Sequence, residues 1–122
     1  MEKAEIASWQ WRVEFEGLMA IAEAMRNTAP AMKDRALPGP ANYAQIPELG
    51  QRGLVRLKRF FETLDARLAA SGHVAGARFS LADITAVVAV DFARVVKMKP
   101  AEEHPNIRRW RASMAERPAM AL

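Results

Sequence analysis

The stretch ARFSLADITAVVAVDFARVV, residues 77–96, decides the fold of this chain. Ser80 is followed three residues later by Asp83, a spacing that forms a capping box at the start of a helix. Apolar side chains fill most of the next turns, and a helix that is apolar nearly all round is normally buried. The only later polar side chains before Lys97 are Thr85, Asp91 and Arg94. We therefore expect a central, buried helix that starts near Ser80 and is enclosed by the other helices.

Three more helices are predicted around this central one. The first covers about residues 2–27, the second about 48–71 and the last about 105–117, and a long proline-rich loop at 28–47 joins the first two. The second helix has an apolar row that steps by three and four residues, which is the amphipathic pattern. That row consists of Leu54, Leu57, Phe61, Leu64 and Leu68. No segment has a convincing strand pattern, so the predicted fold class is an all-α helical bundle.

The first helix has more apolar surface than one core-facing stripe requires. Four of its charged side chains lie on a single narrow stripe, because they are spaced by seven, four and seven residues. They are Glu5, Arg12, Glu16 and Glu23. Most of the remaining circumference is apolar or aromatic. We expect this helix to make two apolar contacts, one with its own core and one with something else.

Length and composition favour a single cytoplasmic domain. A chain of 122 residues is one domain by size, and it has no cysteine, which excludes disulfides, thiolate metal sites and a cysteine nucleophile. The longest apolar stretch, residues 84–90, is far short of the roughly 20 residues that span a bilayer. The N-terminal residues also lack the apolar core of a signal peptide. We expect no membrane partner.

The net charge of +4 does not by itself indicate a nucleic-acid partner, because the basic residues are not gathered on one surface. The densest group is Arg108, Arg109 and Arg111, and acidic residues flank it on both sides. A solvated helix face explains this pattern better than a binding surface. We expect no contact with nucleic acid.

Chemical motifs are scarce in this sequence. There is no glycine-rich phosphate loop and no metal-ligand spacing, so we expect no metal site. His73 and His104 lack a nearby carboxylate–serine pattern, and we interpret them as loop histidines. Ser80 is interpreted as a cap rather than a nucleophile. Asp91 is expected to be a structural carboxylate that pairs, for instance, with Arg94.

The segment HVAGARFSLADI, residues 73–84, resembles one shared by the C-terminal helical domains of cytosolic glutathione transferases. In that family a G-x-x-x-S-x-A-D pattern caps the buried central helix, and Gly76, Ser80, Ala82 and Asp83 match it here. Four other segments are similar to the theta-like bacterial and fungal branch, in the same order. They are WQWRVEFEGL (9–18), MRNTAP (25–30), LKRFFETLDARLAASGHVAG (57–76) and NIRRWRASMAERPAM (106–120).

The resemblance implies that residues 1–122 form a glutathione S-transferase C-terminal domain without the thioredoxin-like N-terminal domain. In the family that other domain binds the co-substrate glutathione and stabilises its thiolate. We therefore expect this chain alone to contain no catalytic residue, to bind no glutathione and to be inactive. The same resemblance implies a detoxifying transferase that forms a homodimer and takes a hydrophobic electrophilic small molecule.

In this half of the family's fold, the first helix contributes to both the hydrophobic substrate pocket and the dimer interface. The expected substrate-binding residues are Trp9, Arg12, Phe15, Met19, Arg26 and Tyr43. Core or interface packing is the alternative for the aromatic residues and the methionine, and an ion pair is the alternative for Arg12. For the whole chain, the alternative is a non-catalytic transferase-like scaffold for protein–protein interaction.

Overall fold

A computed structural model describes residues 2–117 of the chain, which form a bundle of helices. In order, these are α1 (Glu2–Arg12), a π segment (Val13–Leu18), α2 (Met19–Thr28), α3 (Pro47–Ala70), α4 (Leu81–Phe92), α5 (Pro100–Glu103) and α6 (Pro105–Ala115). Within residues 2–117 there is no strand, and no helix is both long and apolar enough to cross a membrane. The all-α prediction is confirmed.

The predicted helix boundaries differ from the observed ones by one or two residues. Short 3-10 turns that the sequence did not predict occupy Pro30–Met32 and Ala93–Val96, and α5 is an additional short helix. The last helix ends at Ala115 rather than at Arg117. Residues 118–120, the end of the family-like segment 106–120, lie outside the described residues.

α1, the π segment and α2 form one continuous rod. The residues at the two junctions, Arg12 and Leu18, keep right-handed helical dihedral angles, so the chain widens locally without breaking. Gly17 lies in the wider turn, where an added Cβ atom would be 3.0 Å from the ring of Phe60. The π segment therefore brings the rod's backbone against an aromatic side chain of α3. A π turn inside an α-helix is rare and often lies at a functional site.

α3 packs against α2 at very short range. A Cβ atom at Gly53 would lie 2.7 Å from the backbone nitrogen of Ala24 and 2.9 Å from the carbonyl oxygen of Ala20. Only glycine allows this approach, because backbone atoms cannot move aside as a flexible side chain can. The apolar row predicted for α3 is buried except for the half-buried Leu54. Its buried members are Leu57, Phe61, Leu64 and Leu68.

α4 lies centrally, packed against α1 and the π segment, but it is not enclosed on every side. Its inner face is buried and includes Ala82, Ala86, Val87, Ala89 and Val90. Its other face carries an exposed apolar row, which continues into the following 3-10 turn. We call this row the outer stripe of α4; it consists of Leu81, Ile84, Val88, Phe92 and Val95, each between 38% and 57% exposed.

The predicted capping box is confirmed, and Asp83 does more than cap. The Ser80 backbone N–H donates to Asp83 Oδ2 at 2.9 Å, and the Ala82 N–H donates to Ser80 Oγ at 3.3 Å. Asp83 Oδ1 also accepts from the Val74 N–H at 3.0 Å and from Trp110 Nε1 at 2.9 Å. This fully buried carboxylate thus joins α4, the preceding loop and α6. His73 lies in that loop, with Nδ1 3.4 Å from Asp83 Oδ1.

The expected pairing of Asp91 with Arg94 is wrong. Arg111 on α6 donates from Nε and Nη2 to the two carboxylate oxygens of Asp91, each at 2.9 Å. The planar guanidinium fits a carboxylate through two parallel bonds, which a residue on the same helix turn cannot easily match. These bonds raise the pKa of Arg111. Asp91 is therefore a structural carboxylate, as expected, but it joins two helices.

Candidate functional site

The outer side of the rod carries an exposed aromatic pair. Trp11 and Phe15 lie four residues apart and stack, with ring centroids 4.9 Å apart and planes inclined by 10°. Met19 follows one turn later and is 56% exposed, and Trp11 is 59% exposed. We call Trp11, Phe15 and Met19 the outer stripe of the rod. Large apolar side chains gathered at a surface usually mark a contact with a ligand or a partner.

An arginine of α3 borders this stripe. Arg56 Nη2 donates to the carbonyl oxygen of Phe15 at 3.1 Å, and the guanidinium carbon lies 5.4 Å from the centre of the Phe15 ring. A cleft of about 200 Å³ opens beside this contact and is lined by Phe15, Glu16, Arg56, Arg59, Phe60 and Thr63. Aromatic faces and guanidinium groups therefore meet at the point where the π segment approaches α3.

Glu23 neutralises part of the arginine row on α3, which consists of Arg52, Arg56 and Arg59. Its carboxylate accepts from Arg52 Nε and Nη2 at 3.0 and 2.9 Å and from Arg56 Nη1 at 3.2 Å. The hydrogen bonds from Arg52 lower the pKa of Glu23, and they outweigh the opposing effect of its partial burial. Arg59, by contrast, makes no ion pair within residues 2–117. One cationic group thus stays available beside the cleft.

Trp9 lies on the inner side of the rod, and Arg12 lies at the surface against its ring. Trp9 is only 7% exposed and belongs to the core. The guanidinium of Arg12 lies 4.5 Å from the centre of its ring, and that of Arg67 lies 5.4 Å away. Arg12 also pairs with Glu16 at 3.3 Å. Arg12 is therefore held in place at the surface by an aromatic face and a carboxylate.

Arg26 and Tyr43 both form hydrogen bonds to residues 34–36 of the proline-rich loop. Arg26 Nη1 donates to the carbonyl oxygen of Arg35 at 3.0 Å. Tyr43 pairs with the same stretch through its backbone, since its N–H donates to the Asp34 carbonyl at 3.0 Å and its carbonyl accepts from the Ala36 N–H at 3.1 Å. The Tyr43 side chain is 49% exposed.

The structure thus divides the six predicted site residues into three places. Arg12, Phe15 and Met19 follow the outer side of the rod, Arg26 and Tyr43 lie at the loop, and Trp9 is in the core. Sequence reasoning missed Trp11 and Arg56 as parts of the site. The spacing of four residues between Trp11 and Phe15 could have identified the stacked pair, because such residues are neighbours on a helix.

One protein family matches most of the chain. The model described as "Glutathione S-transferase, C-terminal domain" matches residues 23–118. A curated relative, "Glutathione S-transferase 2" of Saccharomyces cerevisiae, is 30% identical over 121 residues, which are 98% of this chain and 49% of that protein. The chain therefore spans about half the length of this relative.

Solved structures of the same kind share the fold. A glutathione S-transferase of class Gtt2 from Vibrio parahaemolyticus is 31% identical and superposes with a TM-score of 0.79, covering 98% of this chain and 53% of that one. Gtt2 from Saccharomyces cerevisiae is 28% identical with a TM-score of 0.83, and the match covers 98% of this chain and 55% of that one.

Proposed function

Because this chain belongs to the glutathione S-transferase C-terminal domain family, we propose that it forms the substrate-binding and dimerisation half of a glutathione-conjugating enzyme. In this proposal glutathione is the co-substrate, and a thioredoxin-like domain outside residues 1–122 binds it. The length of the relatives supports the proposal, since each is about twice as long as this chain. The substrate would be a hydrophobic electrophile.

The observation that carries the proposal is the exposed outer stripe of the rod. Phe15 and Met19 offer apolar contact to a hydrophobic group, and Trp11 extends the flat surface of Phe15. Arg12 stands beside them, fixed by Trp9 and Glu16. We place Arg12, Phe15 and Met19 in the wall of the substrate pocket, with Trp9 supporting that wall from within. Arg26 and Tyr43 would contribute from the loop.

Dimerisation would use the same side of the rod together with the arginine row of α3. Tryptophan and arginine are the residue types that most often dominate the energy of protein–protein interfaces. Here Trp11 is exposed, and Arg59 has no ion-pair partner within the described residues. A second copy of the chain would bury Trp11 and provide a carboxylate for Arg59, while Phe15 remains in the pocket wall.

The outer stripe of α4 would contact the thioredoxin-like domain. It presents five apolar side chains in a row, and no described element covers them. An apolar row of this length rarely stays in water on a complete monomer. The half of the relatives that this chain does not match offers a folded partner for it.

A binding experiment tests the substrate-pocket assignment. S-hexylglutathione, a hydrophobic glutathione conjugate, is titrated into the chain while the methionine methyl groups are observed by NMR. We expect the exposed Met19 methyl to shift and the fully buried Met114 methyl to stay unchanged. Phe15→Ala should weaken the response. Shifts remote from the rod would contradict the assignment, and a chain that dimerises without any ligand response would favour the scaffold alternative.

An activity assay tests the division of labour between the two halves. A glutathione thiolate must be stabilised before it attacks an electrophile, typically by a hydrogen bond to its charged form. In the family the residue that does so lies in the other domain. We expect residues 1–122 alone to give no conjugation of glutathione to chlorodinitrobenzene above background. Turnover that responds to substitution of His73, His104 or Ser80 would contradict this.

A further inference from the structure

We propose that the end of α2 and the proline-rich loop form a binding site for an amphipathic oxyanion, that is, a carboxylate or phosphate attached to an apolar group. The site is a cavity of about 420 Å³ lined by Arg26, Arg35 and residues 37–42. The inference deepens the proposed function by naming a charged class of substrate. The use of such a compound in catalysis rests on the proposed function, whereas its binding to the cavity does not.

The loop around the cavity is held at its base. The backbone bonds between Tyr43 and the Asp34–Ala36 stretch close the loop, and Arg26 ties the carbonyl of Arg35 to α2. Gln45 Nε2 donates to the carbonyl oxygens of Arg26 and Ala29 at 3.0 and 2.7 Å, which fixes the last part of the loop to the end of α2. A loop that is held at its base has less conformational freedom to lose when a ligand binds.

Two guanidinium groups at the cavity have donors to spare. Arg26 uses only Nη1 in its bond to the loop, and the Arg35 side chain makes no hydrogen bond or ion pair within residues 2–117. No carboxylate lines the cavity, and Glu23, one turn before Arg26, is bound by the arginines of α3. Guanidinium groups bind carboxylates and phosphates through paired hydrogen bonds. The arrangement therefore favours an oxyanion.

The rest of the lining is suited to an apolar group. Leu37 is 56% exposed, and Pro38, Pro40 and Ala41 add further apolar surface beside the arginines. Proline has no backbone N–H, so these positions present little that needs hydration. A volume of about 420 Å³ also lies within the range of small-molecule sites. An acidic compound with a short apolar tail would use both parts of the lining.

The test measures binding to the 122-residue chain itself by calorimetry, at low salt, with octanoate, octyl phosphate, inorganic phosphate and the uncharged octanamide. We expect one or both octyl anions to bind at least about tenfold more tightly than octanamide, and the tighter of the two identifies the oxyanion. Arg35→Gln should weaken that anion by about tenfold or more, because lost charge-assisted hydrogen bonds are of this size. This variant leaves the loop intact, since only the backbone of Arg35 holds it.

Arg94→Gln is the matched control, since it removes an exposed arginine that makes no ion pair within residues 2–117 and lies outside both the loop and the outer stripe of the rod. Equal affinities for octanamide and the octyl anions would overturn the proposal, as would equal weakening by Arg94→Gln and Arg35→Gln. Inorganic phosphate that binds as tightly as octyl phosphate would overturn the apolar part of the site. The calorimetric assay needs no turnover, so its failure counts against the anion site alone. An absent Met19 response to S-hexylglutathione would instead count against the proposed function.

Discussion

The two faces of α4 differ in which residues are buried and which are exposed. The inner face carries one acidic residue, Asp83, which is completely buried and yet fully provided with hydrogen-bond donors. The outer face carries large apolar residues that water can reach, such as Leu81 and Val88. At these positions a polar side chain is buried and large apolar side chains are exposed, which is the reverse of the usual distribution.

This contrast separates what the chain needs for its own fold from what it holds ready for contact with another surface. Asp83 is explained entirely within residues 2–117, because every partner of its carboxylate belongs to this chain. The outer stripe of α4 has no such explanation within the described residues. An internal role predicts a large effect on stability when a residue is changed. An external role predicts a small effect on stability and a large effect on association.

The largest effect is expected for Asp83→Ala. The substitution leaves the Ser80 and Val74 N–H groups and the Trp110 indole N–H without their acceptor. Each buried donor that is left unpaired costs about 1–3 kcal/mol, so the three together amount to a large part of a small domain's stability. Urea unfolding followed by circular dichroism measures the loss.

Ser80→Ala is the control for this prediction, since it removes the cap but keeps the carboxylate, and it should cost about 1 kcal/mol. Equal costs for the two substitutions would show that Asp83 acts only as a cap. Retained stability in Asp83→Ala with lost binding of S-hexylglutathione would show that this carboxylate belongs to a functional site instead.

Adjacent valines give the most direct contrast between the two faces. Val87 is 6% exposed and Val88 is 52% exposed, so the same change to alanine acts on opposite sides of one helix. Val87→Ala should lower the free energy of unfolding by about 2 kcal/mol, because it removes buried methyl groups and leaves a void. Val88→Ala should be neutral or stabilising by up to about 0.5 kcal/mol, since alanine favours helices. Similar losses of stability in both variants would mean that the outer stripe of α4 is covered in solution.

The next prediction concerns association through the exposed apolar surfaces. We expect the isolated chain to associate with itself at tens of micromolar, because two apolar stripes are accessible. Val88→Asn should weaken an association that buries the outer stripe of α4, whereas Trp11→Ala should weaken one that buries the rod. Light scattering over a concentration series distinguishes the two modes of association. The variant that alters the interface should raise the dissociation constant for self-association about tenfold. A monomer at these concentrations would contradict the prediction.

The sequence predicted the parts of this fold that depend on local patterns. The capping box at Ser80 and Asp83 and the apolar row of α3 could be predicted because neighbours in the sequence determine them. The π segment could not, since no local pattern marks it, and Phe60, which faces Gly17 there, is far away in the chain. The same reason explains why Asp91 was assigned to a nearby arginine instead of Arg111.

The candidate site was less predictable than the fold. Apolar patterning indicated that the first helix has more than one apolar face, and the exposed Phe15 and Met19 agree with that. The pattern could not tell which face of α4 would contact the chain's own core, because hydrophobicity is the same on both. Nor could it place Trp9, whose burial depends on how α1 sits against the rest of the bundle.

The smallest effect is expected at Glu23, where a charged contact between α2 and α3 depends on pH. The bonds from Arg52 lower the pKa of Glu23 in the folded chain below its usual value of about 4.3. A carboxyl group with a lowered folded-state pKa stabilises the fold above its unfolded pKa and loses that contribution as the pH falls through the folded one. Glu23→Gln should therefore reduce stability at pH 7 by less than about 1 kcal/mol, since solvent screens the partly exposed pair.

The difference between wild type and Glu23→Gln should shrink as the pH falls from the unfolded-state pKa of about 4.3 through the lower folded-state pKa of Glu23, because the wild-type carboxyl group then becomes protonated as well. Urea unfolding of both proteins at pH 7, 5 and 3 measures it, and contributions from the other carboxyl groups cancel in the difference. Added salt at pH 7 should also reduce the difference, since salt screens exposed charges. A difference that stays constant down to pH 3 would contradict a contribution from the charge of Glu23.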